Sequence, residues 1–139
     1  MPEVVVNYVA VVVAAVASVV LCAIWYGPLL GKVWMKAVGK TKADLDKSKG
    51  DMPKMYGITI VGALITAYVL AVFIGWANAT TIALAVILAF LVWLGFVVTS
   101  TVGSVIWEGR NQQSFLIDVS YSFVQLILMA AIIVAWPAY

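Results

Sequence analysis

Apolar residues in this chain gather into four long runs, separated by one polar loop and two short connections. The runs cover about residues 4–26, 55–76, 81–104 and 115–136. Each is close to the roughly 20 residues that a helix needs to cross the roughly 30 Å hydrocarbon core of a bilayer. Interruptions are few. Only Asn7 and Ser18 break the first run, with Cys22 behaving as a small apolar residue. The pattern predicts an all-α integral membrane protein of four transmembrane helices, forming one domain over 1–139. The first run reads as a retained span, because its one early charge is Glu3 and its apolar stretch exceeds the 7–15 residues usual in a signal peptide.

The loop after the first run has order of its own. Leu29, Leu30, Val33, Trp34 and Ala37 fall on one helical face, and Lys32, Lys36 and Lys40 on the opposite one. This spacing predicts a short amphipathic helix over about 29–38, lying in the membrane plane with its lysines toward lipid headgroups. Thr41 and Asp44 have capping-box spacing for a second short helix ending near Gly50, and Asp51 with Pro53 suits the opening of the second span. Asn78-Ala79-Thr80 matches a glycosylation acceptor. The turn holding it is so short that capping of the third span by Asn78 or Thr80 is the expected use.

Composition narrows the class. Of 139 residues, 65% are hydrophobic and 10% charged, against about 45–50% and about 25% in soluble domains. A soluble globular domain is thereby excluded, and so is a disordered chain. Charge is segregated. Lys32, Lys36, Lys40, Lys42, Lys47, Lys49 and Lys54 lie between the first and second spans, and Arg110 lies between the third and fourth. Short loops rich in Lys and Arg stay cytoplasmic. The expected placement is therefore a multi-pass cell-membrane protein with loops 27–54 and 105–114 inside and both termini outside. Trp25, Trp34 and Trp107 then lie at the inner interface and Trp76 and Trp136 at the outer one, while Trp93 falls within the third span as a packing residue whose indole needs an acceptor.

Several chemistries drop out. The net charge is only +2 and the lysines share one loop, so no nucleic-acid partner is expected. With no histidine and one cysteine, disulfide frameworks and the common zinc and haem sites are excluded. Asp44, Asp46 and Asp51 lack the calcium-loop pattern. Neither a nucleophile elbow nor a phosphate loop is present. No metal, cofactor or catalytic residue is expected, and an enzyme is not the favoured reading.

Lipid gives apolar helices little reason to associate, so small residues that permit close approach matter. Ala10, Ala14, Ser18 and Cys22 form one ladder, Ala63, Ala67 and Ala71 a second, and Gly95, Thr99 and Gly103 a third. Such ladders suit a neighbour within the chain, a membrane-protein partner or a second copy, and a homo-oligomer is expected. Ile24-Trp25-Tyr26-Gly27 is echoed by Ile106-Trp107-Glu108-Gly109, which is consistent with duplicated hairpins over 1–76 and 77–139.

Asp118 is the one Asp, Glu, Lys or Arg within the four runs, and Asp118, Tyr121, Ser122 and Gln125 share a helical face. Antiparallel pairing of the third and fourth spans brings Ser100 and Ser104 to the same depth, with Glu108 and Arg110 at the rim and Tyr56 and Thr59 able to join. Polar groups in hydrocarbon face the protein interior or a wet cavity. One reading is a polar pocket or proton and ion relay. The other is a set of structural hydrogen bonds between helices.

Trp25-Tyr26-Gly27-Pro28, then Gly31-Lys32 and Trp34, with Trp93-Leu94-Gly95-Phe96 and Glu108-Gly109-Arg110, resemble the family known as domain of unknown function 1761. The resemblance extends to Trp136. It implies a small prokaryotic four-span membrane protein without an established activity. Its motif positions are Trp25, Tyr26, Gly27, Pro28, Trp34, Trp93, Gly95, Glu108, Gly109 and Arg110, and it points to Trp25, Tyr26, Gly27, Pro28, Glu108 and Arg110 as a cytoplasmic-interface site or a latch between the two hairpins. Together these readings favour small-solute or ion handling through a cytoplasm-facing polar cluster. The alternative is a non-catalytic accessory or assembly subunit of a membrane complex.

Overall fold

The computed structural model describes residues 6–29, 31–39, 52–109 and 111–136, the side chains of Val38 and Met52 excepted. The expected helix after Thr41, Lys40, Lys42, Lys47, Lys49 and Arg110 lie outside the described residues. Within them the chain is helical and contains no strand. The helices are α1 (Tyr8–Ile24), α2 (Gly31–Val38), α3 (Met52–Trp76), α4 (Ile82–Glu108) and α5 (Gln112–Ala135). A π-helical turn, Trp25–Leu29, joins α1 to α2, and α4 passes through a π-helical stretch at Trp93–Val98. Four helical segments, α1 with the turn after it (Tyr8–Leu29), α3, α4 and α5, are long and apolar enough to cross a membrane.

Local chemistry sets the helix ends. Asn7 starts α1 by accepting from the Val9 and Ala10 amides at 3.1 and 3.3 Å, so the helix begins later than the apolar run does. Asn78 closes α3 rather than opening α4. It takes a left-handed conformation (φ 54°), its amide donates to the Gly75 carbonyl, and the Ala79 amide donates to the Ile74 carbonyl. These two bonds make a Schellman close, with asparagine in the place glycine usually holds. Thr81 caps α4 instead, accepting from the Leu84 amide at 3.2 Å. At the other end α4 continues to Glu108 and stops at Gly109 (φ 68°). Asn111 then caps α5 through the Gln113 and Ser114 amides.

The corner between α1 and α2 depends on two glycines. Gly27 leaves the helical region (φ −105°, ψ −107°) just before Pro28. Gly31 sits so close to the preceding turn that an added Cβ would lie 2.5 Å from the Tyr26 carbonyl oxygen. The chain can fold back only because that position has no side chain.

Packing follows the order α3, α1, α5, α4, and α5 touches every other helix, whereas α3 and α4 scarcely meet. Small side chains permit this. Ala10, Ala14 and Ser18 of α1 are buried, as are Ala63, Ala67 and Ala71 of α3, so the first two ladders serve contacts within the chain. The α4–α5 contact uses Ala85 and Ala89 against a core that includes Leu126, Met129 and Ala130. The Gly95–Gly103 ladder is different, since a Cβ at Gly95 or Gly103 would meet nothing within 4 Å. In α3 the ladder covers only one half of the helix, and every residue from Pro53 to Gly62 is exposed.

Ala67 has no exposed surface, so Ala67→Leu should cost about 1–3 kcal/mol by overpacking. Gly95→Leu should leave the isolated chain's stability unchanged. Unfolding of the purified protein by titration with sodium dodecyl sulfate measures both.

Candidate functional site

The end of α1 with the turn after it and the first half of α5 bring one cluster of polar side chains together. At the deepest level lies Ser18, 1% exposed. The Gln125 amide donates to its hydroxyl at 2.7 Å, and the Tyr121 hydroxyl donates to its carbonyl at 3.2 Å. Two turns along α1, the Trp25 indole donates to the Ile117 carbonyl at 3.2 Å. The Tyr26 hydroxyl donates to Asp118 Oδ1 at 2.5 Å. Asp118 is thereby held by a phenol from another helix.

Aromatic rings frame that pair. Tyr26 meets Trp34 of α2 edge to face at a centroid distance of 5.5 Å, and meets Tyr121 at 5.4 Å. Trp25 lies 6.4 Å from Tyr121. Tyr26 therefore ties the turn after α1 to two helices: its ring touches α2 and α5, and its hydroxyl holds Asp118 of α5. On the far side of α5, the Trp93 indole donates to the Val119 carbonyl at 2.8 Å, and its ring packs on Phe123 at 4.8 Å. The acceptor expected for Trp93 is thus a main-chain carbonyl of α5.

The anticipated residues divide into two groups. Tyr121 and Gln125 bond to Ser18 of α1 and Asp118 to Tyr26 of the turn after it, while the Ser122 hydroxyl donates to the Asp118 carbonyl at 3.1 Å. Ser100 and Ser104 are not joined to this cluster by any hydrogen bond among the described residues. Their hydroxyls donate to carbonyls of their own helix, at Phe96 and Thr101. Sequence depth places these serines level with Asp118, but the rotation of α4 turns Ser100 outward. Glu108 is exposed at the end of α4, Lys32 and Lys36 are exposed on α2, and Lys40 and Arg110 lie outside the described residues. Ser18 and the Trp25–Tyr26 pair complete the cluster. Their signal was present in the sequence, since Ser18, Cys22 and Trp25 recur at i, i+4 and i+7 on one face of α1.

Beside the cluster, a cleft of about 290 Å³ opens between α1 and α3, lined in part by Cys22, Tyr26, Gly27, Tyr56 and Thr59. A second cleft of about 280 Å³ lies at the opposite end of the bundle, where the Asn7 amide donates to the Trp136 carbonyl at 3.4 Å. Among the described residues, no group of three or more His, Cys, Asp or Glu is placed to hold a metal ion.

A family model described as protein of unknown function (DUF1761) matches residues 9–134. No curated protein and no solved structure matches the chain.

Trp93→Phe removes one interhelical hydrogen bond while keeping an aromatic ring. It should cost about 0.6–2 kcal/mol. Trp107 is 88% exposed, so Trp107→Phe should cost nothing measurable in the same detergent unfolding assay.

Proposed function

We propose, from the premise that the chain belongs to the family described as protein of unknown function (DUF1761), that it handles a small solute or ion in the membrane. The observation that carries this reading is the Asp118–Tyr26 pair. A carboxylate within a spanning helix is costly and usually marks a pathway or a binding site. Here it bonds to a tyrosine that also lines a cleft of about 290 Å³ between α1 and α3. The lysines of the 27–54 loop support a cytoplasmic placement for this end of the bundle, with both termini outside. Asp118 then acts as the titrating or coordinating group and Tyr26 as the hydrogen-bond donor that positions it. Tyr121, Ser122, Gln125 and Ser18 form the polar lining behind them.

A second reading rests on a different observation. The α4 face bearing Gly95, Thr99 and Gly103 has nothing packed against either glycine, and α4 is the least buried of the four spanning helices. An accessory or assembly subunit, or a homo-oligomer, would use that face for close helix approach.

Flux through proteoliposomes separates the two. With a pH-sensitive dye inside and an imposed proton gradient, the solute reading expects proton entry well above that of empty liposomes. Asp118→Asn should lower it at least tenfold, Tyr26→Phe several-fold, and Glu108→Gln should leave it unchanged. Entry no faster than in empty liposomes rejects proton handling at Asp118.

A further inference from the structure

We infer that the groove between α1 and α3 binds one anionic phospholipid, with an acyl chain along its apolar part and the headgroup at the end where Lys54 precedes the groove wall. The groove exists because the alanine ladder of α3 covers only half of that helix. Ala63, Ala67 and Ala71 draw one half of α3 onto α1, while Pro53–Gly62 stands exposed. Two clefts fill the resulting gap, and Val19 lines both. The deeper one, about 330 Å³, has no polar lining and is bounded by residues such as Val12, Val16, Val20, Ile60 and Leu64. The other, about 290 Å³, presents Cys22, Tyr26, Tyr56 and Thr59.

The α1 residues concerned, Val12, Val16, Val19, Ala23 and Tyr26, recur at helical spacing along one face. Their α3 counterparts run antiparallel, from Leu64 back to Met55. The path is therefore a single strip along the helices, apolar in mid-bilayer and hydroxylated at one end. That gradient is the chemistry of a lipid lying parallel to its neighbours.

Charge at the mouth selects the headgroup. Lys54 is exposed and immediately precedes Met55 of the groove wall, and Lys32 and Lys36 are exposed on α2, on the face opposite Trp34. Basic side chains at this level attract anionic lipid. Apolar packing in the groove competes with ordinary lipid, which is equally apolar. Selectivity must therefore come from the headgroup. The lipid shares the Tyr26-lined cleft with the proposed solute site, but Asp118 itself does not line the groove, so Asp118→Asn should leave lipid retention intact.

The test reconstitutes the full chain in nanodiscs containing equal phosphatidylglycerol and phosphatidylcholine, followed by native mass spectrometry. One phosphatidylglycerol should remain bound per chain, in at least fivefold preference to phosphatidylcholine. Val19→Trp, at the junction of the two clefts, should reduce retention at least fivefold. Ile58→Trp, at a position 64% exposed and outside the groove, should not. A second measurement uses the unmodified chain. Alkylation of Cys22 by N-ethylmaleimide in detergent should slow at least fivefold with phosphatidylglycerol and not with phosphatidylcholine. Equal retention of both lipids, undiminished retention in Val19→Trp, or equal protection of Cys22 by both lipids overturns the inference. So does protection that tracks protein concentration without lipid, because a second copy would then occupy the groove.

Discussion

A helix in lipid has already satisfied its own backbone, and its apolar side chains are as well solvated by acyl chains as by protein. What draws such helices together must be close packing of small residues or polar groups that lipid cannot satisfy. In this chain the polar groups converge on α5. The carbonyls of Ile117 and Val119 each accept an indole N–H, from Trp25 on one side and Trp93 on the other. Asp118, the residue between them, accepts the Tyr26 hydroxyl. Three consecutive residues of α5 thus anchor the end of α1 and the middle of α4. The contact of α5 with every other helix follows from that arrangement.

The same anchoring positions the candidate site. The chain turns at Gly27 immediately after Tyr26, and Gly31 leaves room for the Tyr26 carbonyl where a Cβ would lie 2.5 Å from its oxygen. Trp34 then closes over the Tyr26 ring from α2. The aromatic and glycine positions at residues 25–34 are therefore parts of one corner, which places a hydroxyl at the first turns of α5 and fixes an amphipathic helix beside it. On the opposite face of α1, α3 is held by its alanines over only half its length, and the groove is the consequence.

Much of this was legible in the sequence, for definable reasons. Span length and hydropathy follow from the thickness of the bilayer, so the four long helices could be read directly. The need of Trp93 for an acceptor could also be anticipated, because a buried indole N–H must be paired. The identity of the acceptor could not, since a main-chain carbonyl leaves no mark in sequence. Depth along a span is likewise countable, whereas rotation about its axis is not when nearly every side chain is apolar. Ser100 and Ser104 show the difference. They share a level with Asp118, yet they bond to their own helix. Ladders of small residues mark where helices can approach but not which partner does. The alanines of α1 and α3 found each other, while Gly95 and Gly103 remain open.

Two indole hydrogens donated to α5 hold its neighbours on either side. In protein labelled with ¹⁵N at tryptophan and embedded in lipid, solvent exchange of the six indole N–H groups can be followed separately by nuclear magnetic resonance. Trp25 and Trp93 should exchange far more slowly than the exposed Trp107. Trp25 or Trp93 exchanging as fast as Trp107 would show that α5 does not hold that helix through its carbonyls, and the central claim would fail.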